Sequence, residues 1–201
     1  MDNFPYLGSY ISRTGDPEVD TWARLGKAAS VFQRLRQIWS SNAINTTTKL
    51  HLYISTVIPA AIYAADTWKG TTRISHMLDV FHHRCLRTIL GISWRDHITN
   101  DELMKRVGME DLSNIVRVRR LMLAGHILWQ PSDRPASVAM QWEPDGGRRR
   151  KGRRRKTRRQ TFREDLQEMR VSWSGVCRVA SDRSRWKSLV AQCFSRSGIL
   201  V

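Results

Sequence analysis

The segment from Thr71 to Gly91, TTRISHMLDVFHHRCLRTILG, decides the fold class of this chain. Its apolar residues recur every three or four positions, which is typical of one face of an α-helix. Thr71 is suited to cap the N-terminus of that helix, and Gly91 can adopt the left-handed conformation that commonly ends one. The apolar face consists of Ile74, Met77, Leu78, Phe81, Cys85 and Ile89. The segment therefore predicts a long amphipathic helix that packs on a core.

Two more helices with the same periodicity precede this segment. One should begin after Asp16-Pro17 and the other at Asn45-Thr46, and Pro59 should kink or split the second. Their apolar faces are Trp22, Leu25, Ala29, Phe32, Leu35 and Trp39, then Leu50, Tyr53, Ile54, Val57, Ala61, Ala65 and Trp68. The three helices predict a bundle over residues 16–95 of a mainly α protein.

The remaining segments flank this bundle. Residues 1–15 combine aromatic and β-branched side chains with a turn-like end, which predicts a short β element. Residues 96–145 contain a capping pair at Thr99 and Glu102 and a longer helix starting at Asp111, so they predict a second helical segment. Thr161 and Glu164 have the same capping spacing, and residues 161–201 predict a small helical tail.

Residues 146–160 are expected to form a basic linker. Ten of the twelve residues from Arg148 to Arg159 are basic and none is acidic, so this run alone contributes +10 to a net charge of +16. Self-repulsion and the lack of apolar residues should keep the run unstructured until an anion neutralises it. Its basic residues are Arg148, Arg149, Arg150, Lys151, Arg153, Arg154, Arg155, Lys156, Arg158 and Arg159.

The charge balance, with a pI near 10.9, predicts a polyanionic partner, since guanidinium and ammonium groups bind phosphates without reading sequence. The alternatives for the basic run are a solvated tail or a nuclear-localisation signal, and nuclear import is compatible with phosphate binding. We expect a nuclear protein. We expect no membrane partner, because the longest apolar stretch is too short and too polar to span a bilayer. We also expect no small-molecule substrate.

Metal binding and base stacking are weaker interpretations of the histidines, cysteines and tryptophans. Three widely separated cysteines, Cys85, Cys177 and Cys193, lack the spacing of a zinc module, so we expect no metal site. Four of the eight tryptophans, Trp22, Trp39, Trp68 and Trp186, fall on apolar helical faces and are expected in the core. Trp94 and Trp142 lie outside clear helices and are left open as base-stacking residues.

Several short motifs occur in an order that resembles one family. They are Phe4–Ser9 (FPYLGS), Leu25–Ala28, Thr48–Leu50, Ala64–Trp68 (AADTW), Phe81–Trp94 (FHHRCLRTILGISW), Ile98–Leu103, Arg119–Leu121, Ala124–Ile127 and Asp182-Arg183 with Trp186. The chain resembles the region that follows the polymerase core, or palm, in LINE-type reverse transcriptases, most closely RTE-like elements. It departs from them at Pro5, where the family usually has lysine, and at Asp66, where the family has glutamate.

The resemblance implies a fold and a set of contacts. The helical bundle would be a polymerase thumb, with Arg24, Lys27 and Arg34 lying along a template–primer duplex, and Tyr6 and Gly8 would form the primer grip. The alternative for the three basic residues is an exposed face that keeps the bundle soluble, and the alternative for Tyr6 is a strand packed on the bundle. The implied partners are RNA, DNA or their hybrid, together with an upstream polymerase core.

The resemblance also implies that the chemistry lies elsewhere. A reverse transcriptase needs paired palm aspartates to hold two divalent metal ions, and this sequence contains no Asp-Asp pair. We therefore expect no catalytic residue and no cofactor in this chain, since the magnesium ions would belong to the palm that precedes Met1. Two alternatives remain open: an RNA-directed DNA polymerase by family membership, or a standalone basic structural protein of the nucleus.

Overall fold

The chain is described by a computed structural model that covers residues 3–13, 16–141 and 156–194. Over these residues it is mainly α, with one two-stranded sheet at the N-terminal end, which confirms the predicted fold class. The elements are β1 (Asn3–Tyr6), β2 (Ser9–Ser12), α1 (Glu18–Arg34), α2 (Arg36–Ser40), α3 (Thr46–Leu52), α4 (Ile58–Ala61), α5 (Thr72–Leu90), α6 (Asn100–Val107), α7 (Leu112–Leu128), α8 (Pro135–Gln141), α9 (Arg158–Glu168), α10 (Val176–Ser181) and α11 (Arg183–Phe194).

The β element is an antiparallel hairpin with a two-residue turn. Leu7 and Gly8 both have positive φ, at 46° and 81°, as a type I′ turn requires. Tyr6 and Ser9 are the pair that closes the turn, and Pro5 lies opposite Tyr10 in the next pair. Because hydrogen-bonded and non-hydrogen-bonded pairs alternate along an antiparallel ladder, Pro5 and Tyr10 exchange no backbone hydrogen bonds. The missing N–H of Pro5 therefore removes no bond from the hairpin.

A first core lies among α1–α6 and the beginning of α7. Phe32 and Trp39 stack with ring centroids 5.0 Å apart, and Tyr53 meets Phe32 edge-on at 6.2 Å. A π-helical turn, Tyr53–Val57, separates α3 from α4 immediately before Ile58. The predicted interruption near Pro59 is thus confirmed.

Several helix boundaries follow the sequence signals. The side chains of Asn45, Thr71 and Thr99 accept hydrogen bonds from backbone N–H groups at the starts of α3, α5 and α6. Gly91 and Gly108 end α5 and α6 in the left-handed conformation. Asp111 also precedes its helix as predicted, but its carboxylate bonds His83, and Asp79 of α5 instead accepts a hydrogen bond from the Ser113 N–H at the start of α7.

A second core forms where the C-terminal helices pack on the later half of α7. Trp186 of α11 is fully buried there, and its indole N–H donates to the Leu121 carbonyl at 3.1 Å. The indole lies against Gly125, where an added Cβ would meet Trp186 Cδ1 at 2.7 Å. Because α7 contributes to both cores, the predicted division between segments at residue 95 does not coincide with a gap in the packing.

Two details of the C-terminal half correct the sequence interpretation. The helix predicted to start at Thr161 begins at Arg158, inside the segment expected to be a linker, with Thr157 as its capping residue. Pro131, Pro135 and Pro144 predict an interruption after α7, but this stretch contains a helix, α8. Its first residue is Pro135, a position at which proline loses no hydrogen bond. In the described ranges, no helix is both long and apolar enough to cross a membrane.

Candidate nucleic-acid interface

The end of the basic run is built into the start of α9. The Thr157 hydroxyl accepts a hydrogen bond from the Gln160 N–H at 3.1 Å, and Lys156 forms an ion pair with Glu164 in the second turn of the helix. Arg158 is exposed, while the Arg159 guanidinium lies over the Trp173 ring, 4.9 Å from its centroid. The other basic residues of the run, Arg148 to Arg155, lie outside the described residues.

α9 is fixed to the rest of the protein by α7. Arg120 donates two hydrogen bonds to one oxygen of Asp165, at 2.9 and 2.6 Å, and both side chains are buried. Burial raises the pKa of Asp165, and the Arg120 guanidinium opposes that shift. Nearer the surface, Arg117 pairs with Glu168 at 2.6 Å. This arginine-rich part of α7 therefore holds α9 in place through intramolecular ion pairs.

The start of α9 also touches the first core. The Gly70 N–H donates to the Thr161 hydroxyl at 3.0 Å, and Arg119 of α7 lies 3.5 Å from Asp66. Between α5, α7 and α9 is a pocket of about 290 Å³ whose lining includes Lys69, Arg120, Lys156, Glu164, Asp165 and Glu168. The lining mixes both signs of charge, so the pocket itself is not a phosphate site. Lys156, the first described residue of the basic run, lines this pocket and therefore lies close to α5 of the first core.

Arg24, predicted as a phosphate contact, is a structural residue, and that part of the predicted basic face is wrong. The side chain is buried, and its guanidinium donates to the Gly8 carbonyl at 2.5 Å and to the Ser9 hydroxyl at 2.8 Å. It also lies over the Tyr63 ring at 4.3 Å and pairs with Asp20. The i,i+4 spacing of Asp20 and Arg24 is the sequence signal that could have revealed this pairing.

Asp20 is the residue that the sequence interpretation missed. Its buried carboxylate accepts hydrogen bonds from the Tyr10 N–H at 2.9 Å and from the Trp68 indole N–H at 3.0 Å. Together with Arg24 it ties the hairpin to α1 and to the segment before α5. The hairpin is therefore mounted on the first core by two paired charges.

Lys27 and Arg34 do lie at the surface. Both side chains are exposed on α1, as a helix laid on a phosphate backbone would require. They lie on α1, and the described end of the basic run lies at α9. The candidate cations are thus distributed over two parts of the protein, with Arg24 removed from the set.

Tyr6 and Gly8 lie in the hairpin but take different roles. Tyr6 is 56% exposed, so it does not pack as a core strand residue, whereas the Gly8 carbonyl is occupied by Arg24. Other large apolar side chains of the hairpin are also exposed, as is Tyr63, whose hydroxyl contacts the Leu7 carbonyl: Phe4, Leu7, Tyr10, Ile11 and Tyr63. We call these residues, with Tyr6, the hairpin patch. Exposed apolar clusters of this kind mark interaction surfaces.

The tryptophan predictions hold for three of four positions. Trp39, Trp68 and Trp186 are buried as predicted. Trp22 is 60% exposed, so its placement in the core was wrong. Trp94 is exposed, and Trp142 lies outside the described residues.

The buried histidine of α5 has a structural environment. The His82 ring and the Tyr53 hydroxyl form a 2.8 Å hydrogen bond. Burial lowers the pKa of His82 to about 4, and the neighbouring His83 contributes a smaller part of this shift. Burial raises the pKa of the Cys85 thiol to about 12, which makes it a poor nucleophile at neutral pH. Among the residues whose placement is described, no three His, Cys, Asp or Glu side chains gather as metal ligands would.

Comparison with known proteins gives one relative. The chain is 25% identical over 214 aligned positions to an uncharacterized transposon-derived protein of Caenorhabditis elegans, and the alignment covers 92% of this chain and 75% of that protein. No protein-family model matches the chain, and no solved structure matches it. The similarity therefore extends over most of both chains.

Proposed function

We propose that this protein binds RNA, DNA or their hybrid through phosphates and has no catalytic activity of its own. The observation that carries the proposal is the run of ten basic residues in twelve, whose end begins α9, a helix held against the folded chain by the Arg120–Asp165 ion pair. A fixed end loses less conformational entropy on binding than a free tail does. Exposed Lys27 and Arg34 add a second region of positive charge.

We further propose that the chain corresponds to the thumb and C-terminal region of a LINE-type reverse transcriptase. Two facts support this: the ordered motifs in the sequence and the similarity to a transposon-derived protein. The hairpin patch supports an upstream polymerase core as a partner, because its apolar side chains would be covered by such a contact. Nuclear localisation follows from the same basic run, which has the composition of an import signal.

The absence of catalysis is tested by primer extension. The purified chain, supplied with primer, template, nucleotides and magnesium, is expected to give no extended product, because the sequence has no aspartate pair to hold the metal ions. Extension that survives removal of contaminating polymerase would refute this part of the proposal.

Phosphate binding is tested by fluorescence anisotropy with a labelled 20-base-pair duplex at several salt concentrations. The slope of log affinity against log salt should correspond to about five to eight neutralised phosphates. The triple variant Arg153→Gln, Arg154→Gln, Arg155→Gln should reduce that slope by about two to three units, since each phosphate contact contributes roughly 0.9 for B-DNA.

A matched control removes the same charge elsewhere. Arg134, Arg178 and Lys187 are exposed and lie away from the run in sequence, and changing all three to Gln should leave most of the slope. Equal effects of the two triple variants would mean that only net charge matters. A flat salt titration of the unmodified chain would eliminate phosphate binding altogether.

A further inference from the structure

A short loop between α5 and α6 presents a tryptophan to solvent. Residues Trp94–Asp96 form a single 3₁₀ turn, and the Trp94 side chain is 78% exposed. Burying an indole would normally stabilise a protein by removing its large apolar surface from water. Trp94 does not stabilise the fold in this way, whereas three other tryptophans are buried.

The exposure is fixed by the conformation of the loop. The Asp96 carboxylate accepts a hydrogen bond from the Ser93 N–H at 2.6 Å, and the Ser93 hydroxyl accepts one from the Arg95 N–H at 3.4 Å. His97 follows in the left-handed conformation, with φ of 49°. Arg87 of α5 then donates to the Ile98 carbonyl at 2.7 Å. The loop is therefore held at both ends in a shape that keeps the indole out of the core.

The surroundings of the indole are polar. Ser93, Arg95, Asp96 and His97 are all exposed, so the ring is not part of an apolar patch of the size that protein partners cover. The Arg95 guanidinium lies 5.5 Å from the ring centroid. An exposed indole with an arginine over its ring fits a ligand that has a flat π surface for the ring and an adjoining anionic group for the guanidinium.

We propose that Trp94 stacks on an unpaired nucleobase of a single-stranded RNA or DNA segment, with Arg95 contacting the adjoining phosphate. This inference rests on the proposed nucleic-acid binding and names the form of nucleic acid that this loop takes. Bases inside a duplex are stacked on both neighbours and present no free face, whereas an unpaired strand can offer one at every nucleotide. The loop therefore distinguishes single strands from duplexes, which the basic run does not.

The test compares two probes and three variants. Anisotropy titrations use a labelled 12-nucleotide single-stranded RNA without internal pairing and a blunt 12-base-pair duplex. Trp94→Ala should weaken single-strand binding about tenfold, within the range for loss of one stacked base, and leave duplex binding unchanged. Trp94→Phe keeps an aromatic face and should retain most of the affinity. Trp22→Ala removes another exposed indole and should change neither titration.

The outcomes separate this inference from the proposal on which it rests. If neither probe binds the unmodified chain, the proposed function fails. If both probes bind and Trp94→Ala binds the single strand normally, or weakens both probes equally, only the stacking inference is overturned. Because Trp94 is exposed, the Ala variant should keep the thermal unfolding midpoint of the unmodified chain, which verifies that lost binding is not lost folding.

Discussion

The contact between Gly125 and Trp186 predicts that one added methyl group will loosen the second core. Gly125 lies inside α7, and a Cβ there would lie 2.7 Å from Trp186 Cδ1 and 3.1 Å from Cε2, with the indole nitrogen nearer still. That nitrogen donates to the Leu121 carbonyl one turn earlier. Trp186 is fully buried, so the ring has no space into which it can retreat.

The expected size of the effect follows from three contributions. Overpacking a buried side chain typically costs about 1–3 kcal/mol. A weakened indole hydrogen bond costs about 1 kcal/mol. Alanine is better than glycine inside a helix by about 1 kcal/mol, which offsets part of this loss. Gly125→Ala should therefore lower the free energy of unfolding by about 1–3 kcal/mol.

Gly26 provides the matched control. It is an exposed glycine inside α1, and nothing lies within 4 Å of the Cβ that alanine would add. The same substitution there should raise the free energy of unfolding by about 0.5–1 kcal/mol through helix propensity alone. Urea unfolding followed by tryptophan fluorescence and by circular dichroism measures both variants. The signs of the two changes should be opposite.

The steric reasoning has a direct refutation. If Gly125→Ala stabilises the protein as Gly26→Ala does, then Trp186 does not lie against α7 as described. The double variant Gly125→Ala, Trp186→Leu gives a further check, because the smaller side chain makes room for the methyl group. In the Trp186→Leu background, Gly125→Ala should lose most of its destabilising effect, whereas simple additivity would contradict the clash.

Two other predictions concern the hairpin and the buried histidine. Leu7 has a positive φ, which costs a branched L-residue about 1–2 kcal/mol. Leu7→Asn should therefore stabilise the turn and slow hydrogen exchange of the Ser9 amide. Faster exchange in this variant would argue against a type I′ turn. The pKa of His82 falls from an ordinary 6.5 to about 4 in the fold, mainly through burial, so its contribution to stability is complete above pH 6.5 and is lost as the pH falls towards 4. Urea unfolding at pH 7 and at pH 4.5 measures how much the free energy of unfolding falls on acidification. This decrease should be smaller in His82→Gln than in the unmodified chain by about 2–3 kcal/mol. An identical decrease in both proteins would show that His82 is not buried as a neutral ring.

The sequence allowed the helices to be predicted where local signals and periodicity agreed. Thr71 and Gly91 bounded α5 correctly because capping is a contact between neighbours in the chain. Thr161 has equally good spacing with Glu164, yet Thr157 caps α9 and Thr161 is buried against Gly70. Two capping candidates four residues apart cannot be ranked without knowing which one faces the first core.

The candidate site was predicted in part. The exposure of Lys27 and Arg34 agrees with the helical pattern, whereas Arg24, on the same helix, is buried under the hairpin. Trp22 was placed in the core by the same periodicity and is exposed. A hydrophobic period locates a face of a helix, but it does not say how far along that face the neighbouring element extends.

By itself, the sequence determined the mainly α fold, the ends of most helices, the concentration of positive charge and the lack of an aspartate pair. These depend on backbone propensities, on neighbours within a few residues and on composition. Only the tertiary structure decided which charges are available to a ligand: Arg24, Arg117 and Arg120 are occupied by Gly8, Glu168 and Asp165. The physical reason is that the guanidinium groups of Arg24 and Arg120 lose their hydration when buried and must find acceptors, and those acceptors lie 16 and 45 residues away in the chain.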